Sequence, residues 1–189
     1  MSRIIPIILV GFFLSSCSYW EFTMKEYSGW PVQTRILYDR HNVDRTAENA
    51  LVISNDARIA MRCSRITDGI FSAEVQIRMG STLRLQTRTT PYDDSTAQHK
   101  GMIIDINNTQ TSVTINGRVT HAQTPLPTKA PAVVEIVNDG RWTRVTVACR
   151  EVGRFESTAR STEWIIASLP SGGSALIADP SFEPLYSTN

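Results

Sequence analysis

From residue 51 onward, apolar and polar residues alternate with a period of two over most of the chain. Ala57, Ile59, Met61 and Cys63 alternate with Arg58, Ala60 and Arg62, and Ala73, Val75, Ile77 and Met79 alternate with Glu74, Gln76 and Arg78. Gly80-Ser81 turns the chain, and Leu83 and Leu85 then alternate with Arg84 and Gln86. Such a pattern turns one face to a core and the other to water, which marks a half-buried antiparallel strand. Met102–Ile106 is a shorter, more apolar run. Val113 and Ile115 lead into Asn116-Gly117 and out through Arg118 and Val119. Asn-Gly between alternating runs predicts a tight hairpin, because both turn positions need positive φ. Val133–Val137 predicts a strand, Asn138-Asp139-Gly140 a turn, and Val145, Val147 and Cys149 one face of the next strand, opposite Arg144 and Thr146. Trp164–Ala167 and Ala175–Ala178 are the last strand candidates, separated by Pro170-Ser171-Gly172-Gly173. No segment after residue 17 carries a helical period. Many short strands at regular spacing predict an all-β, antiparallel sandwich or barrel.

The flanks read differently. A short basic start, an apolar run over Ile4–Leu14 and small residues before Cys17 form a secretory signal peptide, too short to span a bilayer. Leu14-Ser15-Ser16-Cys17 resembles the lipobox of bacterial lipoproteins, which implies that Cys17 is lipidated and becomes the first mature residue. Several acyl chains hold a protein stably on a membrane. Ser18 follows the cysteine where an Asp would favour the inner membrane, so the expected location is the cell envelope, anchored at the outer membrane. The expected organisation is therefore a signal peptide over 1–16, a lipidated N-terminus and connector over 17–49, a β-sandwich over 50–180 and a tail over 181–189. Trp20, Phe22, Tyr27 and Trp30 make the connector too aromatic for a free tether, and part of it is expected to pack on the domain or form an edge strand.

Charge narrows the function. The 189 residues carry 19 Lys+Arg and 18 Asp+Glu. Removal of residues 1–16 takes away Arg3 and leaves 18 against 18, which gives no support to nucleic-acid binding. The cations are 16 Arg and 3 Lys, spread along the chain, a balance that favours planar, directed contacts. After Cys17 only Cys63 and Cys149 remain, and an even pair in an exported chain is most simply a disulfide. A loop of this length is worth roughly 4 kcal/mol in the chain-entropy account. Two free thiols are the alternative. A metal site is not supported, since no His or Cys lies at ligand spacing from either, and no cofactor is expected.

Four stretches in order resemble the concanavalin A-like jelly roll shared by legume lectins and laminin G-like domains. They are Gly69-Ile70-Phe71-Ser72-Ala73-Glu74-Val75; Leu83–Thr89, ending near Arg88; Gly101–Ile106 with the Thr111–Val119 hairpin; and Asn138–Val147 around Trp142. The resemblance implies a ligand surface on a concave sheet face or on the loops at one end. Related β-glucanases carry Glu-x-Asp-x-x-Glu on one strand, and their chemistry needs two carboxyl groups about 5–9 Å apart around the scissile bond. This chain has no such triplet. Glu135 and Asp139 are four apart, with Asp139 in a turn.

Candidate sites follow from the outward phase. Arg84, Arg88 and Arg144 are expected on outer strand faces, where with Trp142 they form a polar ligand-binding face or are simply solvated. Trp142 is out of phase with Val145 and Val147, so its ring either stacks on a sugar, covers a sheet edge or slips into the core. Trp164 is expected in the core. Asp93-Asp94 beside Tyr92 and His99 forms either a Ca²⁺ or sugar loop or a solvated turn, and Asn107-Asn108 a turn. His41, His99 and His121 are isolated, and Ser171-Gly172-Gly173-Ser174 has no histidine near it in sequence. The first reading is a non-catalytic envelope lipoprotein that binds a glycan. A divergent glycan hydrolase and an assembly protein with a protein partner are the alternatives.

Overall fold

The computed structural model describes residues 33–46, 50–62, 68–78, 80–90, 101–127 and 129–185. Strands β1 (Gln33–Tyr38), β2 (Val43–Arg45), β3 (Leu51–Ser54), β4 (Arg58–Arg62), β5 (Gly69–Arg78), β6 (Leu83–Thr87) and β7 (Met102–Ile106) form the first half. Strands β8 (Thr111–Ile115), β9 (Arg118–Ala122), β10 (Ala132–Asp139), β11 (Trp142–Val147), β12 (Arg150–Glu156), β13 (Trp164–Ser168) and β14 (Ser174–Pro184) form the second. One 3-10 turn, Arg40–Asn42, stands between β1 and β2. All the pairings are antiparallel, in two seven-stranded sheets. The first sheet runs β1-β4-β13-β6-β7-β8-β9 and the second β12-β11-β10-β5-β14-β3-β2. Sequence-distant neighbours such as β5 with β10 and β14 give the crossing connections of a jelly roll.

The alternation read from the sequence is what closes the sandwich. Phe71, Ala73, Val75 and Ile77 of β5 face Leu83, Leu85, Met102, Ile104 and Ile106 of the other sheet in one continuous core. Sheets packed face to face bury such alternate positions and leave the others to solvent. Gly117 at φ 76° and Asn116 at φ 49° complete the predicted β8–β9 hairpin.

As expected of part of the connector, the chain before residue 50 supplies edge strands, β1 in the first sheet and β2 in the second. Three readings change. β14 continues to Pro184, passing a bulge between Ala178 and Ser181. Phe182 beyond that bulge meets Phe71 with ring centroids 5.1 Å apart, so this stretch is a paired strand and not a surface tail. Trp164 lies on the outer side of β13, half-buried, with the Arg62 guanidinium 5.2 Å above its ring, and not in the core. Finally, β11 ends at Val147. Ala148 and Cys149, at φ 49° and 61°, make the two-residue turn into β12, because the pairing of Val147 with Arg150 leaves only two residues to reverse the chain. Cys149 is thus an exposed free thiol in a turn and not an inward strand residue. No disulfide is present among the described residues, and Cys63 lies outside them, as do Cys17, Met79 and Tyr92–Lys100 with Asp93, Asp94 and His99.

Candidate functional site

The four residues expected to share a binding face are divided among three places. Arg84 stands on the outer face of the first sheet, where its Nε and Nη2 donate to the Asp105 carboxylate at 2.7 and 2.9 Å. Those hydrogen bonds raise the Arg84 guanidinium above the ordinary arginine range, against the effect of burial. Trp142 and Arg144 stand on the outer face of the second sheet, with Arg144 paired to Glu135 at 3.3 Å. Trp142 remains 38% exposed, and Arg154 of the neighbouring strand covers its ring at 4.7 Å.

Arg88 is not on a surface at all. Strand alternation would turn it outward after Thr87, but its φ of 59° reverses the chain there and sends the side chain between the sheets, where it is 3% exposed. Its Nε donates to Thr143 Oγ1, its Nη1 to the Ala159 carbonyl and its Nη2 to the Trp142 carbonyl, each at 2.7 Å. Thr143 Oγ1 donates to Asn138 Oδ1, and Asn138 Nδ2 donates to Thr87 Oγ1. Burial lowers the Arg88 pKa, while the negative charge of Asp68 opposes that shift. This network bolts one end of the sandwich, and Arg88 is a buried structural residue of it.

The other predicted candidates are structural. Asn107 Oδ1 accepts from Thr109 N, Thr109 Oγ1 and Gln110 N, which closes the expected turn. His41 and His121 are exposed, and among the described residues no group of three His, Cys, Asp or Glu could hold a metal ion.

A cleft opens instead where the edge strands β9 and β12 face each other, with a volume of about 550 Å³. Val113 and Ile115 of β8 and Phe155 of β12 supply its apolar surface, and Asn116, Arg118, Thr120, Arg154 and Glu156 its polar surface. The local sequence explains the gap. Arg118 and Thr120 pair with Ile115 and Val113 across the hairpin and so occupy inward positions of β9, where a closed sandwich would place apolar side chains. Opposite them, Phe155 and Gly153 pair with the buried Thr143 and Val145, which makes them the inward positions of β12. Gly153 offers no side chain, and the Phe155 ring folds over it so closely that a Cβ on Gly153 would stand 2.9 Å from the ring. Two polar residues and one missing side chain therefore keep the sheet edges apart. Cavities of roughly 300–1,000 Å³ with apolar walls and a few placed polar groups are the usual form of small-ligand sites.

Among the described residues Glu156 is the one carboxylate lining the cleft, 3.6 Å from Arg141. Arg118 has no ion pair among the described residues; Arg154, paired in register with outward Arg144, turns its guanidinium over the Trp142 ring on the outer face. The cleft residues Arg118, Thr120, Arg154, Phe155 and Glu156 are not among the site candidates read from the sequence, where Arg118 figures only as part of the hairpin. The available signal was the pair Arg118 and Thr120 on the phase opposite Val113 and Ile115, just past the Asn-Gly turn.

The sequence matches no protein-family model and no curated protein. Solved structures do resemble it. The carbohydrate binding module CBM66 from Bacillus subtilis superposes with a TM-score of 0.58 at 14% identity, covering 79% of this chain and 94% of that one. A β-glucanase from Bacillus licheniformis gives 0.56 at 11% identity over 78% of this chain and 84% of its own. The catalytic domain of an endo-1,3-β-glucanase (laminarinase) from Thermotoga petrophila gives 0.57 at 11% identity over 79% and 82%. The chain is a jelly-roll β-sandwich, with the fold that these carbohydrate-binding and glucanase domains share.

Proposed function

We propose that this protein is a cell-envelope lipoprotein whose β-sandwich binds a glycan, without cleaving it, in the cleft between β9 and β12. The observation that carries the reading is that cleft, which combines the Phe155 ring with the planar guanidinium of Arg118 and the hydroxyl and amide of Thr120 and Asn116. An aromatic face receives the apolar side of a sugar ring, and forked donors hold its oxygens. Cleavage by paired carboxyl groups needs two of them about 5–9 Å apart, and among the described residues Glu156 is the one carboxylate lining the cleft. The fold shared with a carbohydrate-binding module supports the same reading.

Binding of the full-length protein in mild detergent to a glycan array tests it. Saturable binding is expected, weakened about tenfold by Phe155→Ala, in line with the roughly 1–1.5 kcal/mol of an aromatic contact. Trp142→Ala should weaken it less, since that ring lies outside the cleft under Arg154. Release of new reducing ends from a bound glycan would favour the hydrolase instead.

The anchor rests on Leu14-Ser15-Ser16-Cys17. Wild-type protein is expected in the outer-membrane fraction of the producing cells and Cys17→Ala in the soluble fraction. An unchanged distribution would remove the lipid from the reading.

A further inference from the structure

Strand β12 carries one residue more than the strand beside it. Glu151 pairs with Thr146 and Gly153 with Val145, so Val152 has no residue opposite it, which makes a β-bulge. The bulge sets what the rest of the strand presents, because a slip of one residue exchanges the two faces of a strand. Without the extra residue, Arg154 would stand opposite the inward Thr143 and Phe155 opposite the outward Trp142. With it, Arg154 turns out over the Trp142 ring and Phe155 turns in to the cleft. Val152 packs against the core, as Phe155 does, and Gly153 between them supplies no side chain.

The Phe155 ring lies back into that empty place. A Cβ on Gly153 would stand 2.9 Å from its Cζ and 3.3 Å from its Cε2, too close for the ring to stay where it is. An aromatic ring laid over a glycine in an edge strand covers backbone that has no side chain of its own. Held this way, the ring lines the β12 wall and does not reach across to β9. Thr143 and Val145, the β11 partners of Phe155 and Gly153, are fully buried, so the open space beside the ring is the cleft. A methyl group at position 153 would push on the ring's tip, the movable end of the side chain, and send it into that space. We propose that Gly153 holds the β9–β12 cleft open, as the positioning residue that keeps Phe155 laid along its wall. Resting on the glycan reading above, Gly153 thereby gives a sugar access to the aromatic face. Phe155 is the platform when laid back and the plug when displaced.

The test uses the full-length protein in mild detergent, with phenylalanine rings and isoleucine methyl groups isotopically labelled. In the wild type, nuclear Overhauser contacts should join the Phe155 ring to the α-protons of Gly153. In Gly153→Ala they should join it to the methyl groups of Ile115 on the cleft floor, with the melting temperature in place. On the glycan array, Gly153→Ala should lose binding altogether, a larger loss than the roughly tenfold expected of Phe155→Ala. Adding Phe155→Ala to Gly153→Ala should restore binding to the level of Phe155→Ala alone, because the plug is gone. A strand merely damaged by the methyl group would show no such recovery. A ring that stays over position 153 in Gly153→Ala, wild-type binding by that variant, or a double variant that binds no better than Gly153→Ala overturns the inference and leaves glycan binding standing. A wild type that binds no glycan overturns the glycan reading, and the ring contacts then decide the role of Gly153 by themselves.

Discussion

Replacing Arg88 by alanine is expected to lower the unfolding free energy by about 4 kcal/mol, from buried acceptors left without donors and the cavity that opens. The guanidinium makes three bonds at 2.7 Å to groups from separate parts of the chain, Thr143 Oγ1 and the carbonyls of Trp142 and Ala159. Thr143 and Asn138 extend the network back to Thr87, so β6 of one sheet is joined to β10 and β11 of the other. Alanine leaves two carbonyls without these donors in a water-poor site and opens a cavity. Each effect costs of order 1–3 kcal/mol. A left-handed φ of 59° costs arginine about 1 kcal/mol, and the network holds it there. Lysine should recover little, since one ammonium on a flexible stem cannot match three acceptors arranged for a planar fork. Urea denaturation checks the value, and thermal melting should show a fall of roughly 8–16 °C for a domain of this size. A loss below 1 kcal/mol would mean that Arg88 does not bolt the sheets.

Phe71→Ala should cost a similar 3–5 kcal/mol, about the usual price of a fully buried aromatic ring. Phe71 is 1% exposed at the middle of the second sheet, between Ile136 of β10 and Phe182 of β14. Its ring meets that of Phe182 at 57°, a tilted contact. Phe182→Ala alone should cost less, because that side chain is only partly buried. The double variant should show a coupling of about 1 kcal/mol. Additive losses would separate the end of β14 from the core.

The sandwich was legible because most of its strands have one wet face and one dry face. Ala73, Val75 and Ile77 or Leu83 and Leu85 alternate in sequence because they do so in space. The strand that carries half of the cleft was not legible for the same reason. β12 is an edge strand, exposed along much of both sides, so Arg150–Glu156 shows no period. Arg88 misled because one positive φ reverses the face that alternation assigns, and no local signal announces a left-handed arginine. The outward phase of Arg84 and Arg144 was readable, but not that Arg84 belongs to the opposite sheet.

By itself, the sequence determined an all-β sandwich and its Asn116-Gly117 hairpin, since each follows from contacts within a few residues, while the placement of Trp142 stayed open. Only the tertiary structure decided that Arg118 and Thr120 face Phe155 across a gap, and that Arg88 lies inside. Those placements depend on which strand ends up at which edge. Edge order is fixed by pairings between segments far apart in the chain, and these leave no periodic trace in the residues they bring together.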